Sequence, residues 1–167
     1  QVLGLARALR AKGPQARVLA PSDGPRPDGW VTPLGNSIPT AANGSVAPIA
    51  PDPSAQLRLI RAVRDEGFDV LHLHEPMVPG PCMTACFIKP APLVATFHAA
   101  GNHASYQYLN PALRWLAGRI DVRTTVSAEA EALLFFGDTA PAPIDTLIVP
   151  LSLLTAHILY APEGAAR

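Results

Sequence analysis

The run Leu93-Val94-Ala95-Thr96-Phe97-His98 stops on an imidazole and opens into the stretch Ala99-Ala100-Gly101-Asn102-His103. Read as a buried strand, it puts His98 at a carboxyl end. Open α/β sheets hold ligands there, so a titratable ring at that place is a candidate reacting-site group. A second strand-like run, Val70-Leu71-His72-Leu73-His74-Glu75-Pro76, ends the same way about one βα unit upstream. Two such ends can wall one cleft. His72 and His74, two apart on a strand, share a face, a spacing that two metal ligands use, with Glu75, His98 and His103 as further donors. No third ligand stands at a diagnostic spacing. Packed, hydrogen-bonded histidines are therefore the preferred reading, and no metal is expected.

The elements that must position these residues alternate. Strand-like segments at Arg17–Ala20, Trp30–Leu34, Val70–His74, Leu93–His98, Val122–Ser127 and Thr146–Val149 are separated by helical patterns. Near-continuous apolar strands of this kind predict an α/β fold, with a parallel sheet covered by helices on both faces. The prolines cluster between Pro21 and Pro53 and again between Pro76 and Pro92, and those stretches are expected to be mostly loop. Asp52-Pro53-Ser54 opens the clearest helix. Asp52 can accept from free backbone amides, Pro53 sits in the first turn, and Gly67 supplies the stop. Leu57, Ile60 and Val63 are expected to face the core of the domain, leaving Arg58, Arg61 and Arg64 as a basic stripe on another side. That stripe is either an ordinary solvated face or a contact with anionic lipid, where each basic side chain is worth about 1 kcal/mol. Ser127, between a strand and the run Ala128–Leu134, is placed as a helix N-cap; the functional alternative, compatible with capping, is that this turn points its hydroxyl and backbone amides into the cleft.

Composition removes several classes. Thirteen basic and thirteen acidic residues cancel, so no global field calls for nucleic acid. Cys82 and Cys86 stand four apart in a helical pattern with no second pair, which suggests neither a disulfide framework nor a zinc knuckle, and a reducing cytoplasm is the default. No apolar run approaches the roughly 20 residues a membrane helix needs.

Three motifs in order, Asn43-Gly44-Ser45-Val46-Ala47, Phe68-Asp69-Val70-Leu71-His72-Leu73-His74-Glu75-Pro76 and Val94-Ala95-Thr96-Phe97-His98, resemble the N-terminal domain of a GT-B glycosyltransferase of family GT4, most of all the phosphatidylinositol mannosyltransferases. The resemblance implies a Rossmann-like half of a two-domain enzyme, spanning residues 1–150, with residues 151–167 an unassigned tail. It implies transfer of a hexose, mannose from GDP-mannose, with retention of configuration to a lipid acceptor such as phosphatidylinositol. The nucleotide sugar is then a substrate, and no cofactor is implied. By this resemblance His98 is catalytic, lying beside the transferred sugar and the donor phosphates, while His74, Glu75, Ala99, His103 and Ser127 bind substrate. Arg58, Arg61 and Arg64 are then the candidates for a membrane-surface contact, with the protein expected in the cytoplasm or peripheral at the inner face of the plasma membrane.

The chain departs from that pattern at several points. Ala99 stands where the family has Thr, and His103 stands near a family lysine. Leu151-Ser152-Leu153-Leu154 replaces the family's continuation into its donor-binding C-terminal domain, so transfer by this stretch alone is not expected. The sequence starts inside the helix that follows the family's first strand and glycine-rich loop. Because that strand is central in such sheets, its neighbours are expected to be left with unpaired backbone groups. The alternative function from another class is a non-catalytic module that binds anionic lipid or a partner through the arginine stripe. A metal-dependent hydrolase built on the histidines is a weaker third.

Overall fold

The structure, a computed structural model, describes residues 2–22, 24–42, 45–98, 110–126, 146–148 and 158–161. The chain runs α1 (Val2–Arg10), β1 (Gln15–Ala20), β2 (Val31–Pro33), β3 (Ile38–Ala42), β4 (Ser45–Ile49), α2 (Pro53–Glu66), β5 (Val70–His74), α3 (Pro81–Ile88), β6 (Leu93–Phe97), α4 (Asn110–Ala117), β7 (Val122–Thr125), β8 (Thr146–Ile148) and β9 (Ile158–Ala161). The main sheet has the order β2-β1-β9-β5-β6-β7-β8. Every neighbouring pair is parallel except the two that β9 makes. This is the α/β, Rossmann-like architecture expected from the alternation of elements, with helices on both faces.

The two faces are covered by different helices. Leu71 and Leu73 of β5, together with Leu93, Ala95 and Phe97 of β6, are buried in one cluster with Ala55, Leu59 and Val63 of α2, Ala85 and Cys86 of α3, and Leu113, Leu116 and Ala117 of α4. On the opposite face α1 lays Ala6 against Ala16, Val18 and Val31 of β1 and β2. The alternation of Val18 and Leu19 between these clusters is the period-2 geometry of a strand.

The ends of α2 follow the expected chemistry. Asp52 Oδ1 accepts from the Ala55 amide at 2.9 Å, Pro53 occupies the first turn, and Gly67 closes the helix in the left-handed region at φ 60°. The helix phase is a correction. Ala55, Leu59 and Val63 form the buried stripe, whereas Leu57 is 61% and Ile60 36% exposed. With apolar residues at 55, 57, 59, 60 and 63, more than one helical stripe can be drawn, and contact with β5 and α3 selects the one at spacings of four.

The first proline-rich stretch is mostly loop, as expected, but it also carries β3 and β4, paired as an antiparallel ribbon in which Pro39 stands opposite Pro48. A two-stranded ribbon has an unpaired edge on each strand, so the missing proline N–H groups are tolerated. The expected gap in the sheet, by contrast, is occupied. Within the tail, β9 pairs with β1 through Ala161, Tyr160 and Leu159, and with β5 through Tyr160, Leu159 and Ile158. It runs antiparallel between two parallel strands and supplies backbone partners to both.

Candidate functional site

The site lies at the carboxyl ends of β5 and β6. Register sets His74 opposite Thr96, and Thr96 opposite Thr124 of β7, so the three side chains stand in a row on the face turned away from α2, α3 and α4. His72 stands two residues before His74 on that face, and His98 follows directly on β6. The strand start is held by Asp121, whose carboxylate accepts from the Leu93 amide and from Lys89 Nζ, each at 2.8 Å.

Hydrogen bonds link the row from strand to strand. His72 Nε2 lies 2.7 Å from Thr96 Oγ1, which lies 2.7 Å from Thr124 Oγ1, and the latter donates to the Ala95 carbonyl at 3.2 Å. His74 Nδ1 lies 2.7 Å from His98 Nε2. The rings stack in sequence, His72 on His74 at 4.7 Å between centroids and His74 on His98 at 5.0 Å. His74, Thr96 and Thr124 are buried, while His72 and His98 are half-buried.

Glu75 holds the backbone of His98. Its amide donates to the Thr96 carbonyl at 3.0 Å, its carbonyl accepts from Val78, and its carboxylate accepts the N–H of His98. To do so Glu75 adopts φ 52°, the left-handed region that costs a non-glycine residue free energy and is found disproportionately at functional sites.

The electrostatics favour neutral rings. Burial, and secondarily the neighbouring His98, pushes His72 down to about 4, and burial lowers His98. A neutral imidazole retains one N–H donor and one acceptor, so it can orient a hydroxyl or phosphate oxygen without carrying a full charge into the site. The two thiols have no comparable reactivity: burial pushes Cys82 and Cys86 up to about 12, leaving both protonated at neutral pH.

Of the residues singled out in the sequence, His98, His74 and Glu75 are brought into direct contact. Ala99, His103 and Ser127 lie outside the described residues. The three arginines of α2 are not equivalent. Arg58 Nε donates to the Leu34 carbonyl at 2.6 Å and Arg58 Nη2 to Ser54 Oγ at 2.7 Å, while Arg64 pairs with Asp65 at 2.8 Å and Arg61 is exposed. Arg58 therefore also ties α2 to the loop after β2, where any side chain at Gly35 would meet its guanidinium. Among the described residues no three His, Cys, Asp or Glu side chains are placed to hold one metal ion, and no helix is long and apolar enough to cross a membrane. Sequence reasoning missed Thr96 and Thr124. The signal was available for Thr96, which shares the strand parity of His98.

The sequence profile of Glycosyltransferase Family 4 matches residues 1–145. The chain belongs to glycosyltransferase family 4. Among its relatives, the phosphatidyl-myo-inositol mannosyltransferase of Mycobacterium leprae is 46% identical over 101 residues, covering 59% of this chain and 27% of that protein. The protein of the same name from Propionibacterium freudenreichii is 33% identical over 139 residues, covering 77% of this chain and 36% of that one. The Mycobacterium tuberculosis H37Rv protein of that name is 40% identical over 101 residues, 59% of this chain and 26% of its own length. The chain thus spans between about a quarter and a little over a third of the length of these family 4 relatives.

Proposed function

We propose that this chain is the acceptor-side half of a retaining glycosyltransferase that moves mannose from GDP-mannose to phosphatidylinositol at the cytoplasmic face of a membrane. The observation that carries this reading is the place of His98 in a family 4 chain. It ends a strand at the ligand-binding edge of the sheet, clasped by His74 and by the Glu75 carboxylate. The mycobacterial and propionibacterial relatives, phosphatidyl-myo-inositol mannosyltransferases by name, supply the substrate class.

In this reading residues 1–150 form the acceptor-side domain, and a second, donor-binding half contributes the nucleotide contacts. His98 sits beside the transferred sugar, where a ring N–H donates to a sugar hydroxyl or offsets negative charge that develops as the phosphate leaves. Ala99, His103 and Ser127 complete the substrate contacts, with His103 near the acceptor phosphate. Arg61, and the guanidinium groups of Arg58 and Arg64 beside it on α2, meet the anionic membrane surface. No cofactor takes part.

The test is transfer of radiolabelled mannose from GDP-mannose to phosphatidylinositol in liposomes. It compares this chain, a version extended at both ends from its genomic context, and the extended version with His98→Ala. The reading expects activity in the extended protein and a loss of about 100-fold in the variant. A folded, extended protein that transfers nothing from this donor to this acceptor defeats the assignment. Liposome binding without transfer in that protein favours the non-catalytic lipid-binding alternative.

A further inference from the structure

The hydrogen-bond directions along the polar face follow from the fixed acceptor at one end. The Ala95 carbonyl accepts from Thr124 Oγ1. A hydroxyl has a single proton to donate, so Thr124 has none left for Thr96, and the 2.7 Å bond between them is donated by Thr96. Thr96 in turn has none for His72. His72 Nε2, 2.7 Å from Thr96 Oγ1, is therefore the donor, which makes His72 the Nε2–H tautomer. Its depressed basicity agrees with a neutral ring.

We propose that Thr124, Thr96 and His72 form a positioning array for the reacting histidine. The hydroxyl chain locks the tautomer and plane of His72, His74 stacks on that plane, and His74 Nδ1 clasps Nε2 of His98, so that among the described residues Nδ1 of His98 is the nitrogen left to be offered to a reactant. The bonds join β5, β6 and β7 across one face, so three strands fix one ring. Glu75 completes the hold by taking the backbone N–H of His98. A buried polar row of this kind is costly unless every member is satisfied, and once satisfied it admits one arrangement. The consequence for transfer rests on the mannosyltransferase reading above, whereas the tautomer and the ring orientation do not.

The experiment is long-range ¹H–¹⁵N NMR of the imidazoles in this chain at pH 7, in the unmodified protein and in Thr96→Val, Thr124→Val and Thr96→Ser. Signals are assigned by single histidine substitutions. The array requires His72 to be neutral with its proton on Nε2, and Thr96→Val to shift His72 toward a tautomer mixture and to perturb the His98 nitrogens. Thr96→Ser restores both. An Nδ1–H tautomer on His72 in the unmodified protein overturns the proposal without any variant having to fold, as does a Thr96→Val spectrum unchanged at His72 and His98. In the extended enzyme Thr96→Val lowers kcat about 10-fold with KM for the donor unchanged, the signature of a misplaced group rather than lost binding. Altered tautomers with unaltered kcat refute the positioning role. Altered tautomers in an extended protein that transfers no mannose at all refute the mannosyltransferase reading and leave the array standing.

Discussion

Strands β5 and β6 present two faces that differ by one residue in phase and hold opposite chemistry. Leu71, Leu73, Leu93, Ala95 and Phe97 are buried against α2, α3 and α4. His74, Thr96 and Thr124, on the alternate positions, are buried as well, yet they bond to His98, to His72 and to each other. Equal burial therefore does not mean equal purpose. The apolar face gains from removing hydrocarbon from water at about 25 cal/mol per Å². The polar face gains little net free energy from exchanging water for protein partners, but it admits one arrangement of rings. A domain built only for stability would carry leucine on both faces.

The contrast can be broken most severely on the apolar side. Leu93→Ala, at a position with no exposure, is expected to lower unfolding free energy by about 2–5 kcal/mol in urea titration, while the tautomer of His72 stays as in the unmodified protein. The polar side responds to acid instead. His72 titrates near its ordinary value of 6.5 when unfolded and at about 4 when folded. Between those values the unfolded chain binds a proton that the native chain does not, so stability is fully present above about pH 6.5 and is lost as pH falls toward 4. The contribution is about 3 kcal/mol. Urea midpoints measured from pH 7.5 to 4 should show this slope, and His72→Gln, which keeps a donor without a titratable ring, should reduce it to the part contributed by His98, which burial also lowers.

The next effect concerns the join between the two halves of the sheet. Among the described residues, β9 is the strand that pairs with both β1 and β5. Leu159→Pro is expected to cost about 1–3 kcal/mol for each backbone group left without a partner, and to raise hydrogen exchange at β1 and β5 above that at β6 and β7. Removing the cap of α2 is milder. Asp52→Ala should cost about 1 kcal/mol by thermal unfolding and leave the slope between pH 5 and 7 untouched, because it disturbs neither face of β5 to β7. The smallest effect is expected at Arg61, where replacement by Ala should change stability by less than about 0.5 kcal/mol while lowering binding to anionic vesicles if α2 meets the membrane.

Local chemistry was legible wherever one or two turns decided it. Asp52-Pro53 and Gly67 bounded α2 because capping involves residues within a few positions of one another. His98 could be placed at a strand end because β-rich apolar runs and their polar exits are adjacent in sequence, and the three motifs were sufficient for the family. The phase of α2 was not legible, since residues 55, 57, 59, 60 and 63 allow more than one apolar stripe and only the packed strand chooses between them. Arg58 looked like one of three equal charges, yet its guanidinium reaches a carbonyl 24 residues away.

The sequence by itself determined the alternation of strands and helices, the ends of α2, the position of His98 and membership of family 4. Each rests on short-range pattern or on residues in a fixed order. The tertiary structure alone decided that β9 enters the sheet antiparallel, and that His72 and Thr96, His74 and His98, and Thr96 and Thr124 meet across separations of 24, 24 and 28 residues. Such meetings depend on strand register. Shifting a strand by one residue exchanges its faces while leaving its composition unchanged, and would send the leucines to the site and the histidines to the core.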